Sequence, residues 1–432
     1  MKVAFYTLGC KVNQYETDFM QKKFVDEGFS IVDFNEKSDI YVVNSCSVTN
    51  LSTRKTRQAL SKAKRHGGIV VLAGCYAQEI NDDRKIENVD IVIGNEEKKD
   101  IVNIIKDYLS NKDKKENVVY KVSDIGKIKK YTQKGGLEKG INIRESVKIE
   151  DGCNNFCSYC IIPYVRGRVR SRNLFDIVSE VKSLVKSGVG EVVLVGIEIA
   201  SYGKDLDSNI SLIDVIESIN KIEGLKRIRL GSIEPRVLTD EVITRLSKVD
   251  KLCPHFHISV QSLDNNVLKR MNRKYTREDI FNITDKLRKS IKDIAFTCDI
   301  IVGFPGETDE EFENTIEGIK RVGFYEVHTF KYSKRKWTKA AKMENQVDGN
   351  IANIRSEKVI TLASKLKNDY MKKYLGRKMD VLFELYEDGF LYGYTSNYIK
   401  VKVRGDKSKW GCQLKTELDL IKDDMILGNI LQ

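Results

Sequence analysis

Cys153, Cys157 and Cys160 fall in the spacing C-x3-C-x2-C, directly behind the strand-like run SVKIEDG. Three thiolates this close can hold three irons of a cubane cluster and leave the fourth iron without a protein ligand. An open iron can chelate the amino and carboxylate groups of a small molecule. A structural zinc site would need four ligands, and the chain has only His66, His255, His257 and His328 to help, none near this loop. A reactive loop of this kind needs a scaffold that presents it at an edge, and the flanking pattern supplies one.

Over residues 1–109 the runs KVAFYTLGC, DIYVVNSC, GIVVLAGC and VDIVIGN alternate with helical stretches. That alternation predicts an α/β unit with a parallel sheet, Rossmann- or flavodoxin-like. Residues 110–143 are charged and weakly periodic, and read as a linker with room for one short strand. Six further strand-and-helix units follow over 144–335. They are too few for an eight-unit barrel and predict a partial barrel with its site at the carboxyl ends of the strands. A basic helix at 350–373 leads into short alternating strands from Lys378, punctuated by Gly389, Gly393, Gly405 and Gly411. This predicts a small all-β barrel of the oligonucleotide-binding kind. The expected domains are 1–115, 144–370 and 372–432, with 116–143 between the first two.

Cys10, Cys46 and Cys75 each close one apolar run of the first unit. In a parallel sheet those ends share one edge, where ligands bind, so the three thiols can converge. Topology alone serves equally well for three buried cysteines acting as small hydrophobes.

The string Lys148-Ile-Glu-Asp-Gly-Cys-Asn-Asn-Phe-Cys-Ser-Tyr-Cys-Ile-Ile-Pro163, running into Arg166-Gly-Arg-Val-Arg-Ser-Arg172, resembles the radical S-adenosylmethionine methylthiotransferases. The resemblance covers essentially the whole chain. It implies two [4Fe–4S] clusters, one on Cys153, Cys157 and Cys160 and an auxiliary one on Cys10, Cys46 and Cys75. It further implies S-adenosylmethionine as cofactor, tRNA as substrate, and a low-potential electron donor such as flavodoxin or ferredoxin. In that family the auxiliary cluster carries the sulfur, and a 5′-deoxyadenosyl radical takes hydrogen from C2 of an adenine. The opening Thr7-Leu-Gly-Cys-Lys-Val-Asn-Gln-Tyr-Glu-Thr17 looks like the branch acting on N6-threonylcarbamoyladenosine beside the anticodon. Two other branches act on N6-isopentenyladenosine in tRNA and on an aspartate of ribosomal protein uS12. An RNA-binding iron–sulfur redox sensor is the alternative from another class. One stretch departs from the family pattern of Pro-Tyr-Ser followed by Arg-x-Gly-Thr. Here it reads Lys331-Tyr-Ser-Lys-Arg-Lys-Trp337-Thr, so a different loop is expected.

Polar residues at the predicted strand ends are the expected cofactor contacts: Gly196, Glu198, Ser232, Glu234 and Gln261. Arg273 could pair with a carboxylate through two parallel hydrogen bonds, and Gly303 and Gly306 could admit an adenine. Each taken singly also suits a solvated turn. Arg166, Arg168, Arg170 and Arg172 alternate, and in an extended chain a period of two puts all four on one side. Such a row suits phosphates or a substrate carboxylate. The net charge of +12 is compatible with a polyanionic partner. Tyr386, Phe390, Tyr392, Tyr394 and Tyr398, interleaved with Lys400, Lys402 and Arg404, resemble a TRAM domain able to stack and track RNA. No apolar run is long enough to span a membrane and the opening MKVAFYTLGC lacks a leader pattern, so a cytoplasmic location is expected. In a reducing compartment the nine cysteines are not disulfides, and Cys253, Cys298 and Cys412 read as ordinary thiols.

Overall fold

A computed structural model describes residues 1–80, 86–110, 117–133, 136–137 and 142–431. The first unit comprises β1 (Lys2–Thr7), β2 (Ser30–Val32), β3 (Ile40–Ser45), β4 (Ile69–Gly74), β5 (Ile91–Ile93) and β6 (Val119–Lys121). They form one sheet in the order β2-β1-β3-β4-β5-β6, parallel throughout. β3 is buried along its whole length, as expected where β-branched runs are covered on both faces. Helices α1 (Lys11–Asp26), α2 (Asn50–Arg65), α3 (Cys75–Ile80) and α4 (Ile101–Ser110) connect the strands. Thr49 and Ser52 start α2 with a capping box. The chain reverses direction across the sheet between β1 and β3, and this opens a crevice at their carboxyl ends. β6 falls in the stretch read as a linker and pairs with β5. The sequence leaves room for one short strand in this stretch, and β6 is such a strand.

The second unit begins with β7 (Arg144–Lys148). β8 (Glu150–Asp151) and β9 (Arg170–Ser171) then pair antiparallel and pinch the base of the cysteine loop. β10 (Glu191–Val195), β11 (Arg227–Leu230), β12 (Ser232–Ile233), β13 (His255–Gln261), β14 (Ala295–Val302) and β15 (Glu326–Lys331) follow. Two parallel sheets result, β11-β10-β7 and β12-β13-β14-β15. Gly231 alone separates β11 from β12, so six strand positions form an open barrel. Val192, Leu194, Ile228, Ile258 and Ile300 join the apolar layer shared with the surrounding helices. Each such side chain contributes roughly 1.5–3 kcal/mol by leaving water. On β11 and β13 the alternate residues Arg227, Arg229, His255 and His257 are polar and line the other face.

The long helix Gly349–Lys372 leads to β16 (Lys378–Glu387), β17 (Phe390–Thr395), β18 (Lys400–Arg404), β19 (Gln413–Lys422) and β20 (Met425–Ile430), a closed barrel. It docks on the amino ends of the middle unit's strands. Arg227 donates to the carbonyls of Tyr394 at 2.9 Å and Asp380 at 2.8 Å, and Arg229 donates to Ser396 at 3.1 Å. The Tyr398 ring stacks between His255, 4.4 Å away, and Tyr394, 4.9 Å away. Two of the aromatics read as facing RNA are therefore part of an internal joint. Phe390 and Tyr392 share the outward strand face with Tyr394 but stand nearer the start of β17, with Lys402 over both rings at 4.1 and 5.1 Å. Among the described residues no helix is long and apolar enough to cross a membrane.

Candidate cluster and cofactor sites

Cys10 follows β1, Cys46 follows β3 and Cys75 opens α3 directly after β4. These three strands are adjacent, so all three cysteines stand on one sheet edge. Gly9, at φ +103°, lets the Cys10 turn press close to Cys46: a Cβ there would sit 2.8 Å from the Cys46 Cβ and 3.0 Å from its sulfur. Burial, then the neighbouring Cys75, pushes the Cys46 thiol up to about 11. Around the triad stand sulfur-directed donors: Val48 N–H at 3.5 Å from Cys46, Asn95 Nδ2 at 3.7 Å and Arg166 Nε at 3.3 Å from Cys75. Ser47 Oγ, Glu79 Oε2, Asn95 Oδ1 and Arg335 Nη2 are buried without a hydrogen-bond partner. Soft thiols met by the N–H donors of Val48, Asn95 and Arg166, with an idle Arg335 edge nearby, fit an anionic iron–sulfur group. Among the described residues no three Cys, His, Asp or Glu side chains close about a single point.

The second triad lies on the loop between β8 and the short helix Ile162–Val165. Gly152 holds φ +85°, and any Cβ there would collide with the Arg168 carbonyl oxygen. Phe156 takes φ +47° between the first two cysteines, a conformation that costs a bulky residue of order 1–3 kcal/mol. Asn155 N–H points at Cys153 Sγ from 3.4 Å, and Arg273 Nη1 donates to Cys157 Sγ at 3.3 Å. Burial, then the Cys157 neighbour, pushes the Cys160 thiol up to about 12. Thiols held in their neutral form give up protons when a metal group binds. Arg273 is thus occupied by the cluster loop and by Tyr275, 2.6 Å away, where a free carboxylate clamp was expected.

The predicted cofactor residues lie around this loop in different settings. Glu198 accepts from Asn155 Nδ2 at 3.3 Å. Burial, then Glu234, raises its carboxyl to about 7. Its second oxygen and one oxygen of Glu150 have no donor, so an amino group offered here would find an acceptor. Gly196 lies against the Glu150 carboxyl. Glu234 is buried and bonded to Arg236 at 2.8 Å, whereas Ser232 is exposed. A bulge before Gln261 gives it φ +70°. Gly303 and Gly306 both have positive φ.

The arginine row does not share one side. Arg166, Arg170 and Arg172 are buried and Arg168 is exposed. A two-residue strand at Arg170–Ser171 is too brief to hold an extended register, and ion pairs decide the rest. Arg166 reaches Glu16 at 2.7 Å, Asp151 at 3.0 Å and Asn13 at 2.5 Å. Arg170 lies 3.4 Å from Asp151, and Arg172 pairs with Glu180. Arg168 instead covers the Phe156 ring at 4.4 Å.

Sequence reasoning missed the network that these side chains complete. Glu16 on α1 also takes Lys98 at 2.5 Å and Lys148 at 2.6 Å, and Lys148 takes Asp151 at 2.8 Å. Burial raises the Glu16 and Asp151 carboxyls, but the surrounding cations prevail and hold both below the usual range. Charged residues inside an apolar period, such as Glu16 and Lys148, were the available signal. The departing stretch was also opaque in sequence. Trp337 takes φ +68°, the left-handed turn that glycine adopts freely. Its ring packs with Cys75, Ile161 and Val165 and lies 6.1 Å from Tyr164.

Residues 147–319 match the family model described as the Radical SAM superfamily, and residues 2–94 match Uncharacterized protein family UPF0004. The chain is 40% identical over 425 residues to threonylcarbamoyladenosine tRNA methylthiotransferase MtaB of Bacillus subtilis, covering 96% of this chain and 93% of that relative. It is 38% identical over 411 residues to the protein of that name from Aquifex aeolicus, covering 94% and 98%. A tRNA-2-methylthio-N(6)-dimethylallyladenosine synthase of Lachnoclostridium phytofermentans is 36% identical over 440 residues, covering 99% and 94%. Among solved structures, the radical S-adenosylmethionine methyltransferase TsrM of Kitasatospora setae matches with a TM-score of 0.58 at 15% identity, over 79% of this chain and 77% of that one. That likeness bears on the fold alone.

Proposed function

This chain belongs to the radical S-adenosylmethionine methylthiotransferases, and from that premise we propose that it adds a methylthio group to C2 of N6-threonylcarbamoyladenosine in tRNA. The enzyme uses two [4Fe–4S] clusters and S-adenosylmethionine. Cys153, Cys157 and Cys160 would hold the cluster that supplies an electron for cofactor cleavage, and Cys10, Cys46 and Cys75 the one that supplies sulfur. A flavodoxin or ferredoxin would deliver the electron, and the cytoplasm is where such tRNA is met.

The observation that carries the reading is the join between the two triads. One guanidinium, Arg166, bonds Cys75 of the first unit and Asp151, two residues before Cys153 of the second. The protein's own work follows from that. Arg166, Glu16 and Lys148 clamp the two units at a fixed spacing, as transfer between two centres requires. Asn155 orients Glu198, whose free oxygen can accept from the cofactor's amino group. Phe156 under Arg168 walls the loop and helps exclude water.

Arg168 is the member of the row left free to meet the threonyl carboxylate. A guanidinium fork suits a planar carboxylate better than an ammonium does, and such a charged hydrogen bond is worth about 1.5–3 kcal/mol. Arg168→Gln should cut the preference for threonylcarbamoylated over unmodified tRNA roughly tenfold to a hundredfold, while formation of 5′-deoxyadenosine continues. Unchanged preference would move the recognising cation elsewhere. Nucleoside mass spectrometry tests the whole reading. tRNA incubated with the reconstituted enzyme should gain a methylthio group on threonylcarbamoyladenosine. Gain on the dimethylallyl nucleoside alone would transfer the chain to the other tRNA branch.

A further inference from the structure

Arg335 is 5% exposed, yet among the described residues no carboxylate stands within ion-pair reach of it. The hydrogen bond it makes runs from Nε to the Val48 carbonyl at 3.2 Å, and Nη2 has no partner. The other deeply buried arginines differ: Arg166, Arg172 and Arg229 each hold a carboxylate. A buried charge without a partner is costly, so a fold that keeps one has an anion to put beside it. The acidic groups that act on Arg335 are Glu79 and the Cys46 thiol. Val48, which anchors its Nε, also turns its N–H towards Cys46. Glu79, which feels both Arg335 and the Ser47 hydroxyl, belongs to the same neighbourhood.

Arg335 comes from the other unit, on the stretch that follows β15. That stretch is pinned at both ends. Ser333 Oγ accepts from Asn50 N–H at 3.2 Å, beside the Cys46 loop, and Ala340 N–H donates to Ser158 at 2.8 Å, inside the second cysteine loop. Trp337, between them, covers Cys75.

We propose that Arg335 is the counter-charge of the auxiliary site, its unpartnered Nη2 edge donating to the anionic iron–sulfur group held by Cys10, Cys46 and Cys75. This rests on the cluster assignment above. A cubane on three thiolates is negatively charged, and charge and hydrogen bonds at its sulfurs set its potential. The radical S-adenosylmethionine unit thereby stabilises a cluster lodged in its neighbour.

The role predicts opposite effects with and without the cluster. Arg335→Met keeps the side chain's bulk and removes the stranded charge. The apoprotein of this variant should melt at a higher temperature than the parent apoprotein. With the cluster reconstituted in a Cys153/Cys157/Cys160→Ala background, the variant should lose auxiliary iron to a chelator several-fold faster. Its midpoint potential, followed by electron paramagnetic resonance, should be more negative. Arg335→Lys should recover part of both. An apoprotein that melts lower, or iron loss and potential equal to the parent's, would overturn the proposal. Arg335→Gln serves the same readouts if the Met variant does not fold. The cluster assignment is tested separately: if adding Cys10/Cys46/Cys75→Ala leaves iron binding unchanged in that background, the assignment fails whatever Arg335 does.

Discussion

At the level of single residues, backbone conformation decides what the cysteine loops can hold. Gly152 sits where a methyl group would strike the Arg168 carbonyl, at a φ of +85°. Gly152→Ala should cost about 1–3 kcal/mol locally and open the loop. Reconstituted protein should then carry about half the parent's iron and form no 5′-deoxyadenosine, measurable by iron assay and chromatography. Full iron with normal cleavage would show that the loop tolerates the shift. The cysteines were legible because spacing and strand ends are written in the chain. The burial of Arg166, Arg170 and Arg172 was not, because their partners, Glu16, Asp151 and Glu180, come from three separate segments. Alternation along seven residues says nothing about acids that arrive from elsewhere.

Among the elements, the terminal barrel departs most from what its composition suggested. Its strands were readable from alternation and glycines, and the five-stranded closure agrees with that reading. Which aromatics face outward was not readable, since Tyr394 and Tyr398 are chosen by Arg227, Arg229 and His255 on distant strands. Removing the barrel would strip acceptors from two buried guanidiniums, so deletion is a poor test of RNA binding. Lys400 and Lys402, stacked against Phe390 and Tyr392, make a cleaner one. Changing both to Gln should weaken tRNA binding and lower the magnitude of the salt slope by about two, roughly one per phosphate contact. The melting temperature should stay put. Fluorescence titration across salt concentrations reads the slope, and an unchanged slope would place the RNA on another face.

For the molecule as a whole, three units share charges across their borders, and acid finds the weakest of those borders. Burial, then the nearby Arg229 and His257, holds the His255 pKa well below 6.5. Lys11 and Arg144 push the same way, while Glu191 and Glu384 carry the opposite charge against Arg229 and Arg144. Above the unfolded value of 6.5 the ring is neutral in both states and costs nothing. Below it the unfolded chain gains a proton that the folded chain refuses, so stability falls with falling pH. Melting temperature should drop from pH 7.5 towards about 5.5, and His255→Phe should flatten that part of the profile. An equal slope in the variant would assign the loss to other groups. The same joint bears on how the protein is made. Arg227 waits for Tyr394, which lies 167 residues further on. At roughly 5–20 residues per second, a ribosome needs on the order of ten seconds or more to deliver it. Throughout that interval the middle unit is threaded but unsealed, its charged interior open to water and to whatever machinery inserts iron.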